Sequence, residues 1–252
     1  MLNIKYEPRN KVANIIIERP EKKNAFTSEM YLALAQNLKK ADSDKGVHVI
    51  LISGNEKFFS SGNDITDFLE NKPENNNSPV MKFMKQILAT QKPVIAKVNG
   101  MAIGIGATLL LNCDLVYVSE STIFSFPFVN LGLCPEFATT YIFSRLAGHQ
   151  IASEKLLLGE PFKSTEALNY GLVNKVLPEN QLDVYVDEKI NKLISLPLES
   201  LLVTKKLLKK NSNKIIHQTL ENEFEYFVKM MKSENSKEAF SAFLEKRKPI
   251  FN

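Results

Sequence analysis

The sequence predicts an α/β fold, and three observations predict it. Short β-branched runs recur through the first two-thirds of the chain. Stripes of helical period lie between them, and glycine-bearing or polar loops join the two. Residues 12–17 (VANIII) and 47–53 (VHVILIS) have the length and β-branched content of buried strands. Residues 94–98 and 115–118 read the same way, and 172–177 follow the turn residue Gly171. Residues 28–41 carry Met30, Tyr31, Leu34, Leu38 and Ala41 three or four apart, which predicts a helix with one buried face. The loop 54–63 leads into a short helix over 65–69, for which Asp64 is the natural cap. Residues 71–79 (NKPENNNSP) predict a polar surface loop, and 99–106 (NGMAIGIG) follow a strand and open the apolar run 107–111. Another helix is expected over 137–147.

The strand signal fades from about Gln181. Residues 198–210 read as a basic helix. Ile216, Leu220, Phe224, Phe227, Val228 and Met231 form a stripe that Phe240, Phe243 and Leu244 continue. That stripe needs burial, in the chain's own core or against a neighbouring subunit. The chain divides accordingly into 1–195, an α/β core, and 196–252, a helical region expected to serve in oligomerisation and as a lid.

The 252 residues carry a formal charge of +4. The lysines are dispersed, so no nucleic-acid surface is predicted. No apolar run has the length of a membrane span, residues 1–9 lack a leader pattern, and the last residues are not a peroxisomal address. A cytoplasmic protein is expected. Cys113 and Cys134 stand apart in apolar stretches and read as small core residues, with neither a disulfide framework nor a zinc site. His48, His149 and His217 have no partners at metal spacing, so no metal is expected.

Four segments, in order, resemble the crotonase (enoyl-CoA hydratase/isomerase) superfamily. Residues 19–26 (RPEKKNAF) resemble its RPxxxNA segment, and 59–64 (FSSGND) its FxxGxD segment. Residues 92–104 (KPVIAKVNGMAIG) resemble KPVIAxVNGxAxG, and 166–174 (EALNYGLVN) resemble EAxxxGLVN. The resemblance spans nearly the whole chain. It implies a crotonase-type spiral of ββα units followed by a helical C-terminal region, acting on an acyl-CoA thioester. It also implies a homotrimer or dimer of trimers, and no cofactor beyond the CoA of the substrate.

The chemistry such a site needs is that of an enolate. Removing a proton conjugated with a thioester puts negative charge on the carbonyl oxygen, and two fixed backbone N–H groups stabilise it. By resemblance these donors are the N–H groups of Asn63, after Gly62, and Ile105, after Gly104. The family often has glycine where Ile105 stands. The resemblance further places Ser60, Ser61, Gly62, Asn63, Asp64 and Gly104 at the substrate. Lys22, with Arg19 and Lys23, borders the CoA phosphates or is plain surface charge. The two glutamates of hydratases fall on Thr108 and Phe128, neither of which transfers protons as a carboxylate does. Instead, residues 131–137 (LGLCPEF) resemble the LGxxPE segment of Δ3,Δ2-enoyl-CoA isomerases and place the carboxylate of Glu136 among apolar neighbours. An isomerase with Glu136 as acid/base is therefore expected. Another crotonase-type reaction, or an acyl-CoA binder without activity, is the alternative. Phe68 and residues 71–84 and 124–128 are the segments expected near the acyl tail.

Overall fold

A computed structural model describes residues 3–55 and 57–251. In chain order, β1 (Ile4–Arg9) and β2 (Val12–Ile17) form an antiparallel hairpin. Its two-residue turn, Asn10 and Lys11, has both φ angles positive (50° and 65°), the backbone that tight hairpins require. Helix α1 (Ser28–Ser43) then leads to β3 (Val49–Ser53), β4 (Phe58–Ser60), α2 (Ile65–Glu70) and α3 (Pro79–Ala89). Next come β5 (Val94–Val98), β6 (Met101–Ile103) and the single turn α4 (Ile105–Thr108). They are followed by β7 (Leu115–Ser119), β8 (Ile123–Ser125), α5 (Thr139–Ala147) and α6 (His149–Leu158). The short β9 (Phe162–Lys163), α7 (Ser164–Asn169) and β10 (Lys175–Leu177) complete the sheets. Four helices end the chain: α8 (Glu179–Ile194), α9 (Leu198–Lys209), α10 (Asn213–Met230) and α11 (Glu234–Leu244).

The strands divide into a six-stranded sheet, β1-β2-β3-β5-β7-β10, and a four-stranded sheet, β4-β6-β8-β9. Each ββ pair (β3–β4, β5–β6, β7–β8) places one strand in each sheet, and each following pair advances one position in both. That progression is the spiral of ββα units. Within it the neighbouring strands run parallel.

Strand β3 (VILIS) is buried along its whole length, as expected of a parallel strand covered on both faces. Its side chains alternate. Ile50 and Ile52 join the main core, whereas Val49 and Leu51 meet Leu182, Val186 and Ile190 of α8 on the other face. On α1 the buried residues are Met30, Tyr31, Leu34, Leu38 and Ala41, the predicted face.

Several expectations are corrected in detail. Only the last three residues of 172–177 form a strand. At Asn174 the side chain accepts the N–H of Val116 (2.6 Å) while its own N–H donates to the Val116 carbonyl (2.8 Å). The predicted helix at 137 starts at Thr139, because Phe137 and Ala138 have φ of 65° and 59°. The loops 54–63 and 99–106 each contain a three-residue strand, β4 and β6. The aromatic stripe of the tail turns onto the chain's own core. Leu220, Phe224, Phe227, Met231 and Phe240 belong to the main cluster, and only Phe243 and Leu244 are exposed. Buried Lys205 ties α9 down, its Nζ donating to the Lys92 carbonyl (2.7 Å) and Asp114 Oδ2 (2.6 Å).

Candidate active site

Two loops meet at one cavity. The first is held by Asn24, which is fully buried; its Nδ2 donates to the carbonyls of Ile17 (3.1 Å), Phe58 (2.8 Å) and Phe59 (3.2 Å). Ser60 Oγ donates to the Asn24 carbonyl (2.9 Å) and accepts the N–H of Gly62 (3.1 Å). Phe26 closes the other side: its N–H donates to the Gly62 carbonyl, and the N–H of Asp64 donates to its carbonyl, both at 2.8 Å. The N–H groups of Gly62 and Asp64 are thus occupied. That of Asn63, between them, donates to no described atom. In the second loop Gly104 donates to the Ser125 carbonyl (3.0 Å), while the N–H of Ile105, first residue of α4, likewise has no partner among the described residues.

The glycines explain the meeting. Gly62 (φ 93°) and Gly104 (φ 54°) face each other, and a Cβ on Gly62 would lie 3.0 Å from the Ile103 carbonyl oxygen. Only glycine combines that backbone with that approach. The adjoining cavity, about 320 Å³, is lined by Ser61, Gly62, Asn63, Gly104 and Ile105 on the loop side. Phe68, Phe128 and Leu133 line it on the apolar side, and Phe227, Phe240 and Phe243 come from the tail. The Ile105 side chain does not enter it as bulk: it is 1% exposed and part of the core.

Glu136 lies at the far end of α4. Its Oε1 accepts a hydrogen bond from Thr108 Oγ1 at 2.6 Å, and its buried Oε2 has no partner among the described residues. Burial pushes the carboxyl up to about 8; the Thr108 bond works against this and the charge of Glu223 adds to it. Asn112 Nδ2 donates to the carbonyls of Thr108 and Phe137, both at 3.2 Å, and so ties α4 to the segment after Glu136. Tyr31, buried on α1, donates from its hydroxyl to Asn63 Oδ1 at 2.5 Å. Its phenol is pushed well up, by burial first and by the Glu136 charge second. Glu136 is not among the residues that line the cavity, but lies behind the turn that forms part of its wall. A pair of unused donors beside an apolar cavity, with a buried carboxylate of raised pKa at the far end of the same turn, suits proton transfer next to a carbonyl that becomes an oxyanion.

The remaining nominated residues sit in the frame of these loops. Ser60 is fully buried and its hydroxyl is committed to the backbone. Lys22 is exposed on the turn beside Ser61, which donates to its carbonyl (3.4 Å). Asp64 caps α2, accepting from the N–H groups of Thr66 (3.1 Å) and Asp67 (3.2 Å), and pairs with Arg19 Nη1 (2.7 Å). Burial alone would raise its carboxyl, but the Arg19 bond and charge and the two N–H groups outweigh burial and hold it below the usual range. The Arg19 guanidinium is therefore committed internally, also donating to the Ala25 carbonyl (3.0 Å). Of the segments expected near an acyl tail, Phe68, Pro127 and Phe128 line the cavity and residues 71–84 do not. Thr108, Tyr31 and Glu223 escaped the sequence reading as partners of the site. Thr108 registered only as a missing glutamate, Tyr31 only as a helix face residue, and Glu223 had no local signal at all. Among the described residues no three metal-binding side chains gather, and no helix is long and apolar enough to cross a membrane.

Residues 7–252 match the family model described as enoyl-CoA hydratase/isomerase. The chain is 34% identical to enoyl-CoA delta isomerase 2 of Rattus norvegicus over 84% of its own length. It spans about half (56%) of that protein. It is also 32% identical to the short-chain-enoyl-CoA hydratase of Clostridium acetobutylicum, with 98% of the chain and 96% of that protein covered. The solved structure of OdaA from Pseudomonas aeruginosa superposes with a TM-score of 0.94 at 39% identity, covering 96% of this chain and 98% of that one. The fold, the segments carrying the two loops and these relatives agree that the chain belongs to the enoyl-CoA hydratase/isomerase family of the crotonase superfamily.

Proposed function

We propose that the chain is a Δ3,Δ2-enoyl-CoA isomerase, moving the double bond of a 3-enoyl-CoA to the trans-2 position. The observation that carries this reading is Glu136. It is a buried carboxylate of raised pKa, bonded to Thr108 at the end of the helical turn that begins with Ile105, while Thr108 and Phe128 occupy the places of a hydratase's glutamates. Glu136 takes a proton from C2. The C2–H electrons form a C1=C2 bond and the carbonyl π electrons move onto the thioester oxygen, giving a dienolate. The N–H groups of Asn63 and Ile105 bind that oxygen as an oxyanion hole. Glu136 then returns the proton at C4: the C=O re-forms, the C1=C2 pair becomes C2=C3, and the C3=C4 pair takes the proton. A base with pKa near the working pH both accepts and returns a proton efficiently. The reaction as written needs no metal and no cofactor beyond the CoA of the substrate.

Relatives of both kinds lie at similar identity, so the residues carry the choice between isomerase and hydratase. The deciding experiment offers purified protein 3-hexenoyl-CoA and crotonyl-CoA separately. Isomerisation of the first with poor hydration of the second is expected. Fast hydration without isomerisation would refute the assignment, and binding without either turnover would make the chain an acyl-CoA binder.

A further inference from the structure

Glu223, on α10, is a second buried carboxylate close to Glu136, and the reaction above leaves it without a role. It is 6% exposed. Its Oε1 accepts from the N–H (2.8 Å) and Oγ1 (2.6 Å) of Thr140, and the N–H groups of Ala138 and Thr139 also face the carboxylate. Its Oε2 has no partner among the described residues. Between Glu136 and Thr140 run Phe137 and Ala138, both left-handed and neither glycine. Such a turn persists only where its surroundings over-determine it. Here Asn112 holds the Phe137 carbonyl from the α4 side, and Glu223 holds the other end from the tail.

We propose that Glu223 is a positioning residue for Glu136, clamping the turn at Phe137 and Ala138 that presents the base and setting a second negative charge beside it. This rests on Glu136 being the base. The titratable groups that act on Glu136 or feel its charge are Glu223, Tyr31 of α1 and Cys134. Burial pushes the Tyr31 phenol well up and the Cys134 thiol to about 11, so both stay neutral over the working range. Burial also raises Glu223, against its Thr140 bonds, to about 7. The Glu223 charge opposes the ionisation of Glu136 and so keeps the base stronger.

The test uses Glu223→Gln, which retains an oxygen for Thr140 but no charge, and Glu223→Ala, which removes both. In protein carrying 13C-carboxyl glutamate, the Glu136 resonance is identified by its loss in Glu136→Gln. Its titration midpoint should move down by about half a pH unit or more in Glu223→Gln. With 3-hexenoyl-CoA, Glu223→Ala should lose about tenfold to a hundredfold in kcat with KM little changed. Glu223→Gln should recover most of that loss, and the acid limb of its pH–rate profile should move to lower pH. An unmoved midpoint in Glu223→Gln overturns the charge role. A folded Glu223→Ala variant with wild-type kcat overturns the clamp. If Glu223→Ala does not fold, Glu223→Gln decides on midpoint and pH–rate limb alone. An active Glu136→Gln enzyme sinks the base assignment instead, while the resonance titration still tests Glu223.

Discussion

At the scale of single residues, Glu136 and Asp64 are carboxylates pulled in opposite directions by their surroundings. Glu136→Gln keeps the shape and removes the proton acceptor, so isomerisation should fall by about 10²–10⁴ in a steady-state assay. The same substitution should help stability at neutral and higher pH. The folded-state pKa of Glu136, about 8, lies above its unfolded value, so wild-type stability is complete in acid and falls as pH rises through 8. The steepest fall is about 1.4 kcal/mol per pH unit. Thermal unfolding should show the variant gaining on wild type between about pH 5 and pH 8. A constant difference would mean that the carboxylate is not desolvated. Asp64 has the opposite sign. Its pKa is lowered, so its contribution is full above the ordinary aspartate range and lost as pH falls through the lowered value. Asp64→Asn still caps α2 but breaks the Arg19 ion pair, and should cost about 1–3 kcal/mol near neutrality. That penalty should shrink in acid; one that grew instead would contradict the pairing.

At the scale of elements, α4 concentrates the site's backbone chemistry into one turn. Ile105 is its first residue, the helical position where proline is best tolerated. Ile105→Pro removes the N–H with little damage to α4, whereas Ile105→Ala keeps the N–H and loses core volume. The alanine variant should be destabilised by about 2–5 kcal/mol yet turn over well. The proline variant should bind a saturated acyl-CoA, unfold cooperatively, and lose a further factor of about 10²–10³ in rate. Wild-type turnover in a folded proline variant would remove Ile105 from the oxyanion hole. A turn this short owes little to a helix dipole, so the free N–H itself carries the argument.

At the scale of the whole molecule, the tail is a wall of the cavity as well as of the core. The Phe68 ring lies 6.0 Å from Phe227 and 5.9 Å from Phe240, centroid to centroid, joining α2 to α10 and α11. Because these rings belong to the main hydrophobic cluster, the tail should not melt as a separate unit. Calorimetry should show one transition, and Phe240→Ala should move all of it by about 3–5 kcal/mol. An early transition confined to the tail would show instead that 196–252 is an independent layer.

The sequence by itself determined what depends on near neighbours. The buried run of β3, the buried face of α1 and the Asp64 cap follow from residue types and spacing within a few residues, and each is found in the structure, β3 starting at Val49. The glycines of both loops and the carboxylate at 136 were legible as motifs. The three-residue strands β4, β6 and β8 were not, because runs that short carry no period. The left-handed turn after Glu136 was not either, because Phe137 and Ala138 give no local hint of it. Tertiary structure alone decided the character of Glu136. Its hydrogen bond comes from Thr108, 28 residues away, and the clamp on its segment comes from Glu223, 83 residues beyond Thr140. Desolvation and charge depend on which distant segments converge, and no window of sequence contains that information.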